Sequence, residues 1–216
     1  NGVAADSQGN AYVTGVTFPA PFEPDGVLGE ETDAVVVKIN PNGTVPVYIN
    51  YIGGRGHDTG TSISIDQEGY AYITGSTNST DFPIVQAIQS ANAGQNDAFA
   101  IKLNQNGTAV YSTYIGGTAQ DYGYGIAIDS ARNAYITGTT GSSVFPLGHG
   151  SQNTTYAGNN DAFVVKINTD GTQFLYSEYI GGSLYENGYG IAVDAAGSAY
   201  VSGETNSFRD FPVSNG

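Results

Sequence analysis

Ten of the twenty acidic residues recur at three positions of a repeated motif, and they are the side chains best able to bind a cation. The three sets are Asp6, Asp66, Asp129 and Asp194; Asp33, Asp97 and Asp161; and Asp58, Asp121 and Glu186. Ca²⁺ takes oxygen ligands from carboxylates, carbonyls and water. The third set follows a Gly-Gly pair and precedes another glycine, so it is the candidate calcium set. No Asp-x-[Asp/Asn]-x-[Asp/Asn]-Gly loop is present, which favours the other interpretation, that the acids cap turns and bridge repeats. We therefore predict no cofactor, with calcium as the alternative.

Three of the six basic residues occupy one repeated position, at Lys38, Lys102 and Lys166. Each lies in an apolar run, where a lysine needs a partner or must extend its ammonium group to the surface. We expect each to form an ion pair with a repeated carboxylate. A catalytic lysine has no reason to occur three times.

Most tyrosines also repeat, and they predict packing with the hydroxyl at a strand edge. Tyr156 and Tyr185 fall outside the pattern and are candidates for stacking against a sugar ring. The two histidines, His57 and His149, lie at non-equivalent loop positions without metal-site spacing. No nucleophile and acid can be grouped with either histidine as a hydrolase requires.

These residues are spaced by an internal repeat, whose step from Asp33 to Asp97 and again to Asp161 is 64 residues. Short runs of Val, Ile, Tyr and Phe between Gly, Asn and Asp predict four strands per repeat. An Asn-Gly or Asp-Gly step predicts a tight hairpin between the third and fourth strands. Residues 97–104 are apolar on both faces, so we expect cover on both sides. The sequence predicts an all-β fold of β-propeller blades, each with four antiparallel strands, in about 3.5 repeats.

The repeat resembles the SBBP-type β-propeller repeat family. The segments that carry the resemblance are Asp121–Asp129, Asn133–Gly138, Phe145-Pro146, Asn160–Lys166 and Tyr176–Gly182. The resemblance implies a secreted or cell-surface bacterial or archaeal protein. It implies no catalytic residues, because that family has no established reaction. One copy departs from the pattern at Ser62 and Ser64, where later copies have Gly and Ala.

We interpret residues 1–216 as one domain with blade units 2–54, 62–117, 125–182 and an incomplete 190–216. Three arrangements are open: an arc of a larger propeller, a compact ring of four blades, or an assembly with a partner chain. An open arc exposes unpaired strand edges, so we predict protein contacts at both ends. The chain has no Met and begins Asn1-Gly2, so we expect a processed product or a part of a longer protein.

Composition narrows the classes of partner. The net charge of −14 predicts no nucleic-acid or anionic membrane partner, because both need a basic footprint. The absence of cysteine excludes a disulfide scaffold, a thiolate metal site and a cysteine nucleophile. No apolar run approaches the ~20 residues of a membrane span, so no membrane insertion is predicted.

Three loops of similar length and dissimilar sequence, at 19–32, 83–96 and 146–160, join the second strand to the third. Variable loops on a repeated scaffold commonly carry binding, so we expect the ligand face there. The sequence predicts a non-enzymatic extracellular module that serves as a scaffold, adhesion or assembly unit, with protein or carbohydrate partners. The alternatives are a propeller-type lyase or glycosidase, which needs paired carboxylates at one centre, and a calcium-dependent glycan-binding module.

Overall fold

The computed structural model describes residues 1–17, 31–146, 148 and 150–213. Within these residues, fourteen strands form four antiparallel sheets. We call the first three sheets blades one to three. Blade one contains β1 (Gly2–Ala5), β2 (Ala11–Val16), β3 (Ala34–Ile39) and β4 (Pro46–Ile52). Blade two contains β5 (Asp58–Ile65), β6 (Ala71–Thr77), β7 (Asp97–Leu103) and β8 (Ala109–Ile115), and blade three contains β9 (Asp121–Ile128), β10 (Ala134–Thr140), β11 (Asp161–Ile167) and β12 (Phe174–Ile180). The last sheet, blade four, consists of β13 (Glu186–Val193) and β14 (Ala199–Thr205).

The blades stack side by side in an open arc, which confirms the partial propeller among the predicted architectures. The strands of each complete blade follow one another in chain order. The first strand of each blade contacts the first strand of the next, so β1, β5, β9 and β13 form the inner edge of the arc. The fourth strands lie at the outer edge. Within the described residues, no helix is long and apolar enough to cross a membrane.

Two apolar layers hold the arc together, one between each pair of complete blades. Phe99 and Ile101 of β7 pack towards blade one, against Val36 of β3. The alternate residues Ala98 and Ala100 pack towards blade three. All seven residues of β7 are buried, which confirms that the third strand is covered on both faces.

The predicted turns need particular backbone conformations. Gly107, between β7 and β8, has a φ of 83°, a value that costs a glycine little and other residues more. In the turn from β9 to β10, Asp129 Oδ1 accepts a hydrogen bond from the backbone N–H of Asn133 at 2.9 Å. The Tyr135 hydroxyl lies 3.1 Å from Asp129 Oδ2 and 3.1 Å from the carbonyl oxygen of Gly197 in blade four. The first-turn acids therefore hold the turn and the tyrosine that reaches the next blade.

Candidate functional site

The three calcium candidates lie in three different blades. Asp58, Asp121 and Glu186 begin β5, β9 and β13 respectively. Asp121 Oδ2 accepts hydrogen bonds from the Gly117 N–H at 2.8 Å and the Ser142 hydroxyl at 2.9 Å. Across the described residues, no three His, Cys, Asp or Glu side chains are grouped as a metal site. Each carboxylate instead ties a Gly-Gly turn to the segment that follows the second strand of its blade.

Each candidate has a carboxylate partner from the preceding blade. Asp97 and Asp121 flank Gly116: a Cβ on that glycine would lie 2.6 Å from Asp97 Oδ1 and 2.9 Å from Asp121 Oδ2. Gly53 lies between Asp33 and Asp58 in the same way, and Gly181 lies between Asp161 and Glu186. All six carboxylates are buried. Two separate sets of sequence repeats therefore form three buried acid pairs, one at each junction between blades.

The acid pairs differ in the pKa values of their carboxyl groups. Burial raises the pKa of Asp97 to about 7, and the charge of Asp121 adds to the rise. Burial likewise raises the pKa of Asp121 and of Asp161. Burial also acts on Glu186, but hydrogen bonds from Ser207, Thr205 and the Gly182 N–H outweigh it and lower the pKa. The junction between blades two and three can therefore hold a proton near neutral pH.

The lysines differ from the sequence expectation, because an ion pair forms at one of the three positions. The Lys166 ammonium lies 3.3 Å from Asp129 Oδ2. The Lys38 ammonium donates instead to the Gln105 carbonyl at 3.4 Å, and Lys102 donates to the Thr169 carbonyl at 3.0 Å. Gln105 and Thr169 belong to the turn between the third and fourth strands of the next blade. The lysine of one blade therefore donates to the hairpin turn of the next blade. In the described chain no such hairpin follows blade three, so Lys166 has no turn carbonyl to bind.

A tyrosine ring also covers each lysine. Lys38 Nζ lies 5.1 Å from the centre of the Tyr12 ring, and Lys102 Nζ lies 5.0 Å from that of Tyr72. Lys166 Nζ lies 4.6 Å from the Tyr135 ring. The attraction of a cation to an aromatic face therefore acts on all three lysines, including Lys166, which also forms the ion pair.

The structure describes one of the two candidate histidines and both candidate sugar-stacking tyrosines. His57 is exposed, and its Nε2 lies 2.6 Å from the Glu31 carboxylate. His149 lies outside the described residues. The Tyr156 ring packs edge-on against Tyr179, with 5.8 Å between ring centres, while Tyr185 is half exposed.

The inner edge of the arc carries an aromatic row that the sequence analysis missed. Tyr122 and Tyr124 of β9 stack with 6.3 Å between ring centres and 1° between planes. Tyr189 of β13 lies 5.7 Å from Tyr124. The available signal was Tyr-Gly-Tyr in the first strand of one blade, where blade two has Thr-Gly-Thr.

The variable loops run along the outer strands. Val85 forms two backbone hydrogen bonds with Ser112 of β8, at 3.2 and 2.8 Å. In the next loop, Asn153 accepts a hydrogen bond from the Tyr179 N–H at 3.1 Å. Most of the first loop, 19–32, lies outside the described residues. The described loops thus cover the open edge of the fourth strand, a position that otherwise invites pairing with another chain.

The two ends of the arc expose side chains that are buried elsewhere. At the front, Val3 is 74% exposed, whereas its equivalent Ile63 is 7% exposed. Tyr51 is 50% exposed, and its equivalent Tyr114 is 1% exposed. We call the surface of blade one formed by Val3, Val47, Ile49 and Tyr51 the front face.

At the other end, blade four has a first and a second strand. In the described part of the chain, β14 pairs with β13 alone. Beside β14 lies a cleft of about 1160 Å³ whose walls include Val164, Tyr176, Val201 and Phe211. We call it the end cleft. It lies where the hairpin of the third and fourth strands lies in the other blades.

An open arc of four-stranded antiparallel blades with apolar ends defines a β-propeller repeat protein. The SBBP family model, described as a β-propeller repeat, matches residues 47–83, 110–146 and 175–212, just over half of the sequence. The chain belongs to this family. Each matched unit begins in the fourth strand of one blade and ends at a Phe-Pro pair after the second strand of the next. No curated protein matches the sequence.

Proposed function

We propose that this chain is a non-enzymatic extracellular propeller module that serves as a scaffold and assembly unit, with further protein covering its two ends. The exposure of the front face is the observation that carries this proposal. Contiguous apolar patches of this kind mark interfaces in soluble proteins. Full burial of one such side chain contributes roughly 1.5–3 kcal/mol, so four of them favour association.

The non-enzymatic part of the proposal is supported by the arrangement of the acids. A glycosidase needs two carboxyl groups about 5–10 Å apart on either side of a bound sugar. Asp97 and Asp121 flank a backbone glycine instead, and both are buried. The same arrangement recurs at three junctions, as expected of a part of the scaffold. The extracellular location is supported by the family resemblance alone.

Sedimentation of the 216-residue chain over a range of concentrations tests the proposal. We expect association that grows with concentration, and we expect Ile49→Lys to weaken it because the charge falls in the front face. Asn42→Lys, in an exposed turn of the same blade, is the matched control and should associate like the parent. A chain that stays monomeric at every concentration contradicts the proposal.

A further inference from the structure

We infer that the end cleft binds a β-hairpin with the sequence of the repeat's own third and fourth strands, carried by polypeptide outside these residues. The inference rests on the proposed function, since it names what covers one end of the arc. Four features of the inner blades support it, together with one polar contact that accompanies the third feature. In each case the partner that the hairpin supplies in the inner blades is missing from the described part of blade four.

The first feature is the free edge of β14. Its residues Ala199, Val201 and Gly203 are equivalent to Ala134, Ile136 and Gly138 of β10, which pair with Ile167, Val165 and Phe163 of β11. β14 offers the same backbone groups in the same register, and in the described residues no third strand meets them. An added strand gains affinity from backbone hydrogen bonds and specificity from alternate side chains.

The second feature is the tyrosine ring of the fourth strand. In blade two, the Tyr111 ring lies against Gly171, the turn glycine of the next hairpin, so closely that a Cβ there would overlap the ring. In blade one, Tyr48 lies against Gly107 in the same way. The equivalent ring of blade three, Tyr176, lines the end cleft. The glycine of an incoming Asn-Gly or Asp-Gly turn would pack against this ring.

The third feature is the aromatic side chain that follows the second strand. Phe82 packs on Phe99 with 4.8 Å between ring centres, and Phe145 packs on Phe163 at the same separation. Phe211 is the equivalent in blade four, and it lines the end cleft. A phenylalanine at the third position of the incoming strand would complete the pair.

A polar contact beside Phe211 points to a particular tyrosine. In blade two, the Tyr114 hydroxyl donates to the Ser79 carbonyl at 2.8 Å and accepts from the Phe82 N–H at 3.1 Å. In blade four, where no such tyrosine is present in the described chain, the Phe211 N–H donates directly to the Ser207 carbonyl at 2.9 Å. The two groups that hold a tyrosine hydroxyl in blade two therefore satisfy one another in blade four.

The fourth feature is Lys166. Its equivalents Lys38 and Lys102 donate to turn carbonyls of the next hairpin, whereas Lys166 turns to Asp129. A hairpin in the end cleft would bring such a carbonyl within reach. The occupant thus carries a phenylalanine, an Asn-Gly or Asp-Gly turn and a tyrosine at the spacings of residues 161–182. A second folded copy does not fit, because its described hairpins are paired within their own blades.

A peptide with the sequence of residues 159–182 is the probe, titrated into the 216-residue chain. We expect saturable one-to-one binding, with slower hydrogen exchange at the backbone of Ala199–Thr205. In the peptide, Phe163→Ser should weaken binding at least about 100-fold, by loss of a buried ring, and Tyr179→Phe by about fivefold, by loss of one hydrogen bond. Glu178→Gln in the peptide is the matched control, because that side chain faces away from the end cleft when the hairpin is bound, and it should bind like the parent.

A covalent version guards against a peptide that does not fold by itself. Extension of the chain after Pro212 by a copy of residues 147–182 should raise the melting temperature and protect Ala199–Thr205 from exchange.

The inference is overturned if neither probe protects β14, or if the Phe163→Ser peptide binds like the parent. It is also overturned if concentrating the chain alone protects β14, because a second copy then fills the end cleft. If the hairpin does not bind but the chain still associates as its concentration rises, this inference is refuted and the proposed function stands. If the hairpin binds but the chain stays monomeric, the proposed function is refuted and this inference stands.

Discussion

Replacing Asp97 by Asn should stabilise the protein at neutral and alkaline pH. Asp97 Oδ2 accepts hydrogen bonds from Gln89 Nε2 at 2.7 Å and from the Ala93 N–H at 3.0 Å. The amide oxygen of Asn can accept both bonds. The substitution removes a negative charge that is buried and faces Asp121. Burial, with an added contribution from the charge of Asp121, is what raises the pKa of Asp97 to about 7.

The sign follows from proton binding. The folded pKa of Asp97 lies above the ordinary value of 3.8, so the folded state binds more protons than the unfolded state between about pH 4 and pH 7. Across that window, this residue lowers the stability of the parent as pH rises. About three pH units at ~1.4 kcal/mol each set a ceiling near 4 kcal/mol. Partial solvent screening reduces the expected gain of the variant to about 1–2 kcal/mol near pH 8.

Urea unfolding of the parent and the variant at several pH values measures this difference. The gain should shrink as pH falls from about 7 to about 4, where the parent takes up its proton. Asp129→Asn is the control of opposite sign. Burial tends to raise the pKa of Asp129, but hydrogen bonds from Asn133 and Tyr135 hold it below the ordinary value. That variant should be less stable than the parent at neutral pH, with the loss vanishing in acid. A gain for Asp97→Asn that does not change with pH would refute the reasoning.

Three further predictions concern the blades. Gly138→Ala should cost about 3 kcal/mol or more, because its Cβ would overlap the Tyr122 carbonyl oxygen and lie 2.8 Å from the Phe163 ring. Gly15→Ala, whose Cβ would lie 3.8 Å from the Asn1 backbone nitrogen, should cost under about 1 kcal/mol in the same urea assay. Tyr135→Phe should lose about 1–2 kcal/mol as its contact with blade four is cut, whereas the half-exposed equivalent Tyr200→Phe should change stability by less than about 0.5 kcal/mol; equal losses would contradict the role of the next blade. Thermal melts with calcium and with EGTA should coincide, since the Asp121 oxygen nearest the turn already accepts two hydrogen bonds, and a rise in melting temperature with calcium would show a site.

The repeat predicted the fold well because the sequence pattern of each strand occurs in several copies. The third strand, for example, was expected over 97–104 and is β7 (Asp97–Leu103). Its apolar pattern on both faces correctly predicted cover on both sides. A pattern of this kind is local, so one strand's own residues are enough to reveal it.

The contacts between blades could not be predicted in this way. Asp97 and Asp121 belong to different repeated motifs, and only the stacking of one blade on the next brings them to the same glycine. The lysine partners were missed for the same reason, because the acceptor of Lys102 is the backbone of Thr169, which has no side-chain signature. Residue type predicts which side chains need a partner, but the arc geometry decides which partner each one receives.

The offset between the matched family units and the sheets has an evolutionary consequence. Each unit gives its fourth strand to one blade and its first two strands to the next. Duplication or deletion of one whole repeat, which is a matched unit together with the third strand that follows it, therefore rejoins strands of the same kind inside a sheet and leaves both ends of the arc chemically unchanged. The length of such an array can drift by recombination between repeats, while whatever binds its ends keeps recognising the same surface.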